Sequence, residues 1–379
     1  MEKTLSEGSL MSDVLVIGAG VAGASIAYHL ARAGARVTLL ERHTPGAYTT
    51  SASFGLINAA RKRPDHYHRF SRLAIDAYAS LEQEIGQEVR IGRGVLHWPA
   101  SWGGAAEAER MAEDLARLGY PFQRLTPPEA QEIEHAVRPP SDEGPILYFP
   151  QERWTDADLL ARALVRRAQA LGAQVRLGCS VKEIRAVNGR VEGVLTGEGF
   201  LPAQRVVVSA GTASVGLLAP LGFRPPVERA IGIVVYTSPV PGLLHTAVYP
   251  GHYHAHPTTD GRLVIGSIPY DRLVCEETEG TPPPSWTARL LAEAQRDIPA
   301  LQGARVEELR IGVRPMPKDG LPIIGPVPGV EGAYVAVMHS AVTLAALVGQ
   351  TVAQEIAEGR LVPLLEPYRP TRFPEALVR

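Results

Sequence analysis

The chain has 379 residues, 45% of them hydrophobic and 21% charged, an ordinary globular composition with room for two or three domains. A formal charge of −2, without a long run of one sign, excludes a nucleic-acid or anionic-membrane surface as its organising feature. Its 2 cysteines, Cys179 and Cys275, are too few for a disulfide framework or a thiolate metal centre, which suits a reducing compartment and makes the cytoplasm the expected location. The most apolar stretch, 333–348, is too short for a membrane span and contains His339. Residues 1–10 lack the layout of a signal peptide and, with Met11 directly before the first strand, read as a leader.

The first element is a buried β-branched strand at 14–17, followed by Gly18, Gly20 and Gly23 at the G-x-G-x-x-G spacing. The first glycine permits a tight turn, the second a close backbone approach to a pyrophosphate, and the third close packing of the next helix. That helix, expected over 22–33, aims its free N–H groups and positive dipole end at the phosphates. A second strand at 37–40 ends in Glu41, roughly 20 residues past the turn, where a carboxylate takes both hydroxyls of an adenosine ribose. An adenine dinucleotide follows from this unit, either NAD or FAD.

Residues 49–58 (Thr-Thr-Ser-Ala-Ser-Phe-Gly-Leu-Ile-Asn) form a hydroxyl-rich segment that suits a phosphate, a flavin ribityl chain or a plain surface loop. Helical periodicity covers 64–86 and 105–118, and a short strand 146–149 closes this insertion. A helix is expected from Thr155 as N-cap to Gly172, then a strand at 174–177. Strands at 181–187 and 190–195 flank Asn188-Gly189, a strong hairpin signal, and a buried strand at 205–208 ends in Ser209-Ala210-Gly211. Strands at 230–237, 247–250, 252–256 and 262–268 then read as antiparallel, before a helix at 285–298 and a strand at 306–311. Strands around 323 and 333–337 and a helix at 342–358 return to α/β order. The expected class is α/β, α+β overall: a nucleotide-binding domain from 11–62, 151–222 and 312–379, and a substrate domain with a mixed or antiparallel sheet from 63–150 and 223–311.

The chain resembles the D-amino-acid oxidase family of FAD-dependent amine oxidoreductases, which includes glycine oxidase, sarcosine oxidase and D-amino-acid dehydrogenases. The resemblance rests on the glycine turn with Glu41-Arg42, on 50–55 and 207–211, and on His254-Ala255-His256-Pro257 with Asp260-Gly261-Arg262 through Gly266. It rests further on Arg314-Pro315, Asp319-Gly320-Leu321-Pro322-Ile323-Ile324-Gly325 and Met338-His339-Ser340 with Thr343. It implies a Rossmann-like fold and non-covalent FAD, since both cysteines are far in sequence from the closing motif. Gly18, Gly20, Val21, Ala22 and Gly23 would form the pyrophosphate turn, Glu41 and Arg42 the adenosine contacts, and Val181 the clamp on the adenine. Thr49, Thr50, Ser51, Gly55 and Leu56 would run along the pyrophosphate and ring, with Ala210 and Gly211 close to the nucleotide. His339, Ser340, Ala341, Val342 and Thr343 would face the flavin N1 side, where a helix N-terminus stabilises the charge of the reduced ring. Met338-His339 and Ala341-Val342 depart from the family's Gly-His and following glycine.

The resemblance implies oxidation of the C–N bond of a D-amino acid, glycine or an N-alkyl glycine, by hydride transfer from Cα to flavin N5, giving an imine that hydrolyses. Arg314 would anchor the substrate carboxylate, a task suited to the planar guanidinium fork. His252, His254 and His256 alternate, so they would share a strand face as pocket lining, exposed edge or an imidazole metal site. No metal is expected, because such a site needs a further ligand. Tyr253 would face the opposite way, so at most one of Tyr253 and His254 lines the pocket; His339 is the remaining catalytic candidate. Arg61-Lys62-Arg63 suits an acidic substrate or a solvated charged turn. O₂ or an electron carrier would reoxidise the flavin, and a homo-oligomer is compatible with the chain. An NAD-dependent dehydrogenase on the same glycine turn, and a flavoprotein subunit of a larger dehydrogenase complex, are the alternatives.

Overall fold

The computed structural model describes residues 12–139, 144–240, 242–277 and 284–377, so the expected leader lies outside the described residues. One sheet runs in the order Ile323–Pro326, Ala333–Val337, Gly199–Val208, Ser12–Ile17, Val37–Glu41, Gln174–Leu177. Its neighbours are parallel except at Ile323–Pro326. The continuous apolar runs follow from burial on both faces. Val14, Val16, Val37, Leu39 and Val207 pack into one core with the helices Val21–Arg32 and Ala341–Glu358. Leu15, Ile17, Leu40, Val206 and Val208 pack into another beneath the Val181–Val187/Arg190–Thr196 hairpin. That hairpin turns at Asn188 and Gly189, with φ of 51° and 72°, as the Asn-Gly pair requires.

The second sheet has the order Val306–Pro317, Val227–Thr237, Leu263–Gly266, His254–Pro257, Ala247–Tyr249, Val95–His97, Ile146–Phe149, Gln123–Leu125. Every pair is antiparallel except Ala247–Tyr249 with Val95–His97. On one face Ile233, Val235, Val248, Ala255 and Ile265 pack against Tyr270, Val274, Leu290 and Ala294 of the helices Ile268–Glu277 and Pro284–Asp297. The pairings Arg314 with Ala230, Val234 with Gly266, Gly266 with His254, and Tyr249 with His97 put the other set of side chains on the opposite face. A two-stranded sheet of Leu56–Ile57 and Arg153–Trp154 lies apart from both.

Several expected boundaries move, each for a physical reason. The strand expected at 306–311 continues to Pro317, since an edge strand tolerates the missing N–H of Pro315 and Pro317. The strand expected at 205–208 begins at Gly199, where its first half pairs with the hairpin. The strand expected at 252–256 begins at His254, and the one expected to reach Ile268 ends at Gly266, with Ile268 opening a helix. The helix expected to start from Thr155 has Asp156 at its N-cap position, without a side-chain cap, while Thr155 is committed to the chain at Gly55: its N–H donates to Gly55 O at 3.0 Å. The helix Pro127–Ile133, unread in the sequence, carries a capping box between Thr126 and Glu129.

Candidate active site

A cavity of about 650 Å³ opens along the carboxyl ends of the first sheet, in the middle of the ordinary range of roughly 300–1,000 Å³ for small-molecule sites. Its wall includes Gly18, Gly20, Val21, Ala22, Glu41, Arg42, Thr49, Thr50, Val181, Ala210 and Gly211. It continues to His339, Ala341 and Val342, and to Ile311, Val313 and Pro315 of the second sheet's edge strand. Gly18, at φ +100°, has room for no side chain, since a Cβ would stand 2.6 Å from Ser209 O; one at Gly23 would stand 1.9 Å from Gly18 O. The helix Val21–Arg32 therefore starts hard against the turn. Its N-cap Gly20 offers no side-chain cap; Val21 N reaches Thr50 Oγ1 at 3.3 Å. The Ala341–Glu358 helix likewise starts without a side-chain cap at Ser340. Two helix N-termini with free N–H groups thus face one cavity, the arrangement that receives phosphates and a negatively charged ring.

Glu41 fits the ribose end. Its Oε2 accepts from Ala19 N at 2.8 Å and its Oε1 from His43 N at 2.9 Å, so the carboxylate is held with lone pairs remaining on both oxygens. The Arg42 guanidinium lies over Tyr48, 4.7 Å from the ring centroid. Cys179, buried beside Glu41, donates its N–H to Glu41 O at 2.9 Å, and burial raises its thiol pKa. The turn geometry, uncapped helices and carboxylate together fit an extended adenine dinucleotide.

Six of the residues expected at the cofactor stand behind the wall rather than in it. Gly23 packs on Gly18, and Ser51 donates to Tyr48 O at 2.9 Å. Gly55, at φ +75°, lets the chain pass Thr155, whose carbonyl oxygen would lie 2.1 Å from a Cβ. Thr343 Oγ1 donates to Leu56 O at 3.0 Å and accepts from Asn58 N at 3.3 Å, tying the loop at 56–58 to the last long helix. Ser340 Oγ accepts from Lys62 Nζ at 2.7 Å. Thr212, Lys182 and Arg229 line the cavity without any motif to mark them; position alone brings them there.

Arg314 is absent from this cavity wall and stands on the open face of the second sheet. Two glycines make space there: a Cβ on Gly232 would lie 3.1 Å from Arg314 Cζ, and one on Gly266 would lie 2.4 Å from His254 Nε2. Arg314 Nη2 donates to Ile231 O at 2.7 Å and pairs with Asp271 Oδ2 at 2.9 Å, while Nη1 has no hydrogen bond among the described residues. Burial raises the Asp271 carboxyl to about 6, against the pull of Arg314 and of the Ile233 N–H that donates to it at 2.8 Å.

The three alternating histidines separate. His252 is exposed outside the strand. His254 stacks on Tyr249, 5.1 Å between centroids, and meets Phe54 edge-on at 4.3 Å. Burial, then the neighbouring His256, Arg61 and Arg314, pushes its pKa to about 3. His256 has Phe54 O at 2.7 Å from Nε2 and Pro257 O at 2.9 Å from Nδ1, so both ring nitrogens face carbonyls rather than a metal. Among the described residues no group of three or more His, Cys, Asp or Glu side chains is placed to hold a metal ion. Tyr253 is 2% exposed in the core on the far face, so the pair divides as its alternation predicts, with His254 on the Arg314 side.

His339 exposes its ring to the cavity, yet the crowding of protein around it, then Lys62 and Arg314, drives its pKa to about 3. The loop that brings Lys62 there is pinned by Glu152, a buried residue with no sequence signal. Glu152 Oε1 accepts from Ala59 N at 2.9 Å, Ala60 N at 2.8 Å and Tyr120 OH at 2.9 Å; Oε2 has no partner. Burial raises its pKa, against the pull of the three donors on Oε1 and of Lys62. Arg63 pairs with Asp114, whereas Arg61 lies over the Trp102 ring at 4.5 Å and donates to Ser101 O at 2.8 Å.

The family model for FAD dependent oxidoreductases matches residues 13–355. Glycine oxidase of Geobacillus kaustophilus is 29% identical over 377 residues, 95% of this chain and 97% of that protein. The crystal structure of glycine oxidase from that organism superposes with a TM-score of 0.85 at 25% identity, covering 96% of this chain and 99% of the other. The crystal structure of an iminodiacetate oxidase from Chelativorans sp. BNC1 gives 0.79 at 27% identity, covering 94% and 98%.

Proposed function

Because this chain belongs to the family of FAD dependent oxidoreductases, with FAD as its cofactor, we propose that it oxidises the C–N bond of a small amino acid of the glycine, N-alkyl glycine or D-amino-acid type. The observation that carries this reading is the open face of the second sheet, where Arg314 is held by Asp271 on the same side as His254, and where desolvation first and neighbouring charges second keep the His254 and His339 imidazoles neutral. Desolvation and a cationic field together disfavour the ammonium of a bound amino acid as they do imidazolium, and amine oxidation at Cα requires the neutral amine. The same field attracts the carboxylate beside that amine. Arg314 offers it Nη1 while Asp271 and Ile231 O hold Nη2 in place.

Bound FAD supplies the two-electron acceptor. Its adenosine would lie between Glu41 and Val181, its pyrophosphate at Gly18–Ala22, and its ring toward His339, Ala341 and Val342. Attachment is non-covalent in this reading: Cys179 sits at the adenosine end. Phe54, Tyr249 and His254 form an aromatic wall that keeps water from the reacting carbon. The product imine hydrolyses on reaching water. Glycine and iminodiacetate, named for two relatives, both place an amine next to a carboxylate. Anaerobic titration of the holoenzyme with glycine, N-methylglycine, D-alanine and D-proline tests the reading: at least one bleaches the flavin absorbance, and a flavin that no primary or secondary amine reduces would overturn it.

A further inference from the structure

Resting on that reading, the balance of charge at the site carries a statement about the substrate's far end. Cations near the sheet face are generally matched: Arg314 by Asp271, Arg63 by Asp114, Arg262 by Asp260 and Glu308. Arg61 and Lys62 have no carboxylate in ion-pair range among the described residues; their hydrogen bonds go to Ser101 O and Ser340 Oγ. The carboxylate whose charge reaches both is Glu152, and its Oε1 is already taken by three donors. The excess is local, because the whole chain has 38 basic and 40 acidic residues. Arg61 is exposed, and the protein around it disfavours its charged form. Stacking on Trp102 fixes its guanidinium plane.

A continuous wall connects this cation to Arg314. His254 stacks on Tyr249, Tyr249 stacks on His97 at 4.4 Å, and His97 meets Trp102 at 4.8 Å, beneath Arg61. His254 feels the charge of both arginines. A site with one carboxylate anchor at one end and an unmatched, pre-oriented guanidinium at the other is complementary to a dianion. We propose that Arg61, with Lys62 beside it, receives a second acid group, so that the preferred substrates are amino dicarboxylates whose amine lies next to the carboxylate held by Arg314.

Two measurements on the holoenzyme test this. Calorimetric titration at fixed ionic strength compares unreactive dicarboxylates from malonate to adipate with acetate, propionate and butyrate. At least one dicarboxylate should bind about 10-fold or more tighter than the monocarboxylates, the worth of one charge-assisted hydrogen bond set. Turnover of D-glutamate against D-glutamine, and of iminodiacetate against N-methylglycine, should favour the acid in at least one pair by about 10- to 100-fold in kcat/KM. Arg61→Gln should bring both ratios close to 1, and Arg61→Lys should keep part of the preference. Equal binding of mono- and dicarboxylates, or a preference that survives Arg61→Gln, would overturn the inference. A flavin bleached by N-methylglycine or D-alanine without any acid preference removes this inference alone, whereas a flavin bleached by no amine removes the parent reading with it.

Discussion

Glu152 decides where the loop carrying Arg61 and Lys62 lies, and nothing in its sequence context announces it. It is 0% exposed, and its Oε1 collects two backbone N–H groups and the Tyr120 hydroxyl. Glu152→Ala would leave three buried donors unpaired, at about 1–3 kcal/mol each. The melting temperature should fall by several degrees and the KM for amino acids should rise. Glu152→Gln retains the accepting oxygen and puts an amide where Oε2 now lacks a partner, so it should restore most of both. Equal losses in the two variants would show that the charge matters and the hydrogen bonds do not. Arg314 was legible because of the Arg-Pro context, but its partner was not: Asp271 lies on a helix that the sequence reading missed. Arg314→Gln should raise KM for carboxylate-bearing amines by about 100-fold, equivalent to roughly 2.7 kcal/mol of charge-assisted contact, with flavin content retained. An unchanged KM would remove Arg314 from substrate binding and leave it as the partner of Asp271.

At the scale of elements, the site depends on two helices that start at the same cavity and pack along their length. Gly349 is a point of close approach between them. A Cβ there would stand 2.2 Å from Ser25 Oγ and 2.4 Å from His29 Cδ2, and Ser25 Oγ donates to Ala345 O at 2.7 Å across the same contact. Gly349→Val would push the helices apart, costing about 1–3 kcal/mol as overpacking and splaying their two N-termini. Retained FAD after gel filtration should drop and the apoprotein should melt lower. Full FAD retention would mean that the helix starts are fixed from the sheet side alone. The edge strand Val306–Pro317 shows the opposite lesson. Pro315 and Pro317 lie beyond the 306–311 expected of it, yet pair without loss because no strand lies beyond them.

For the whole molecule, titration follows burial. His29, His254 and His339 are each lowered to about 3, and His68, His97 and His256 are lowered as well, burial being the first cause in every case. A histidine whose folded pKa is below its unfolded value of 6.5 binds fewer protons when folded, so it costs stability as pH falls below 6.5. Asp271 acts in the other sense. Raised from 3.8 to about 6, it favours the folded state below about 4 and that advantage is lost as pH rises to about 6. Glu152 is raised as well, and the six lowered histidines outweigh these two carboxyls, so the melting temperature should fall between pH 7 and pH 5. A melting temperature that rises over that interval would show the imidazoles charging freely and the site to be wet.

The sequence by itself determined the nucleotide half: Val14 to Ile17, the glycine turn and Glu41 are contiguous, and a turn, a helix start and a strand tip are local consequences of local residues. It also determined the Asn188-Gly189 hairpin and that Tyr253 and His254 face opposite ways, since alternation needs only adjacent positions; which of the two stands on the Arg314 side it left open. Only the tertiary structure decided which groups meet on the open face of the second sheet. Arg61, Glu152, His254, Asp271 and Arg314 are scattered over some 250 positions, and what relates them is strand register and the space left by Gly232 and Gly266. Their charges and pKa values depend on desolvation and on neighbours across the fold, and the order of residues along the chain encodes neither directly.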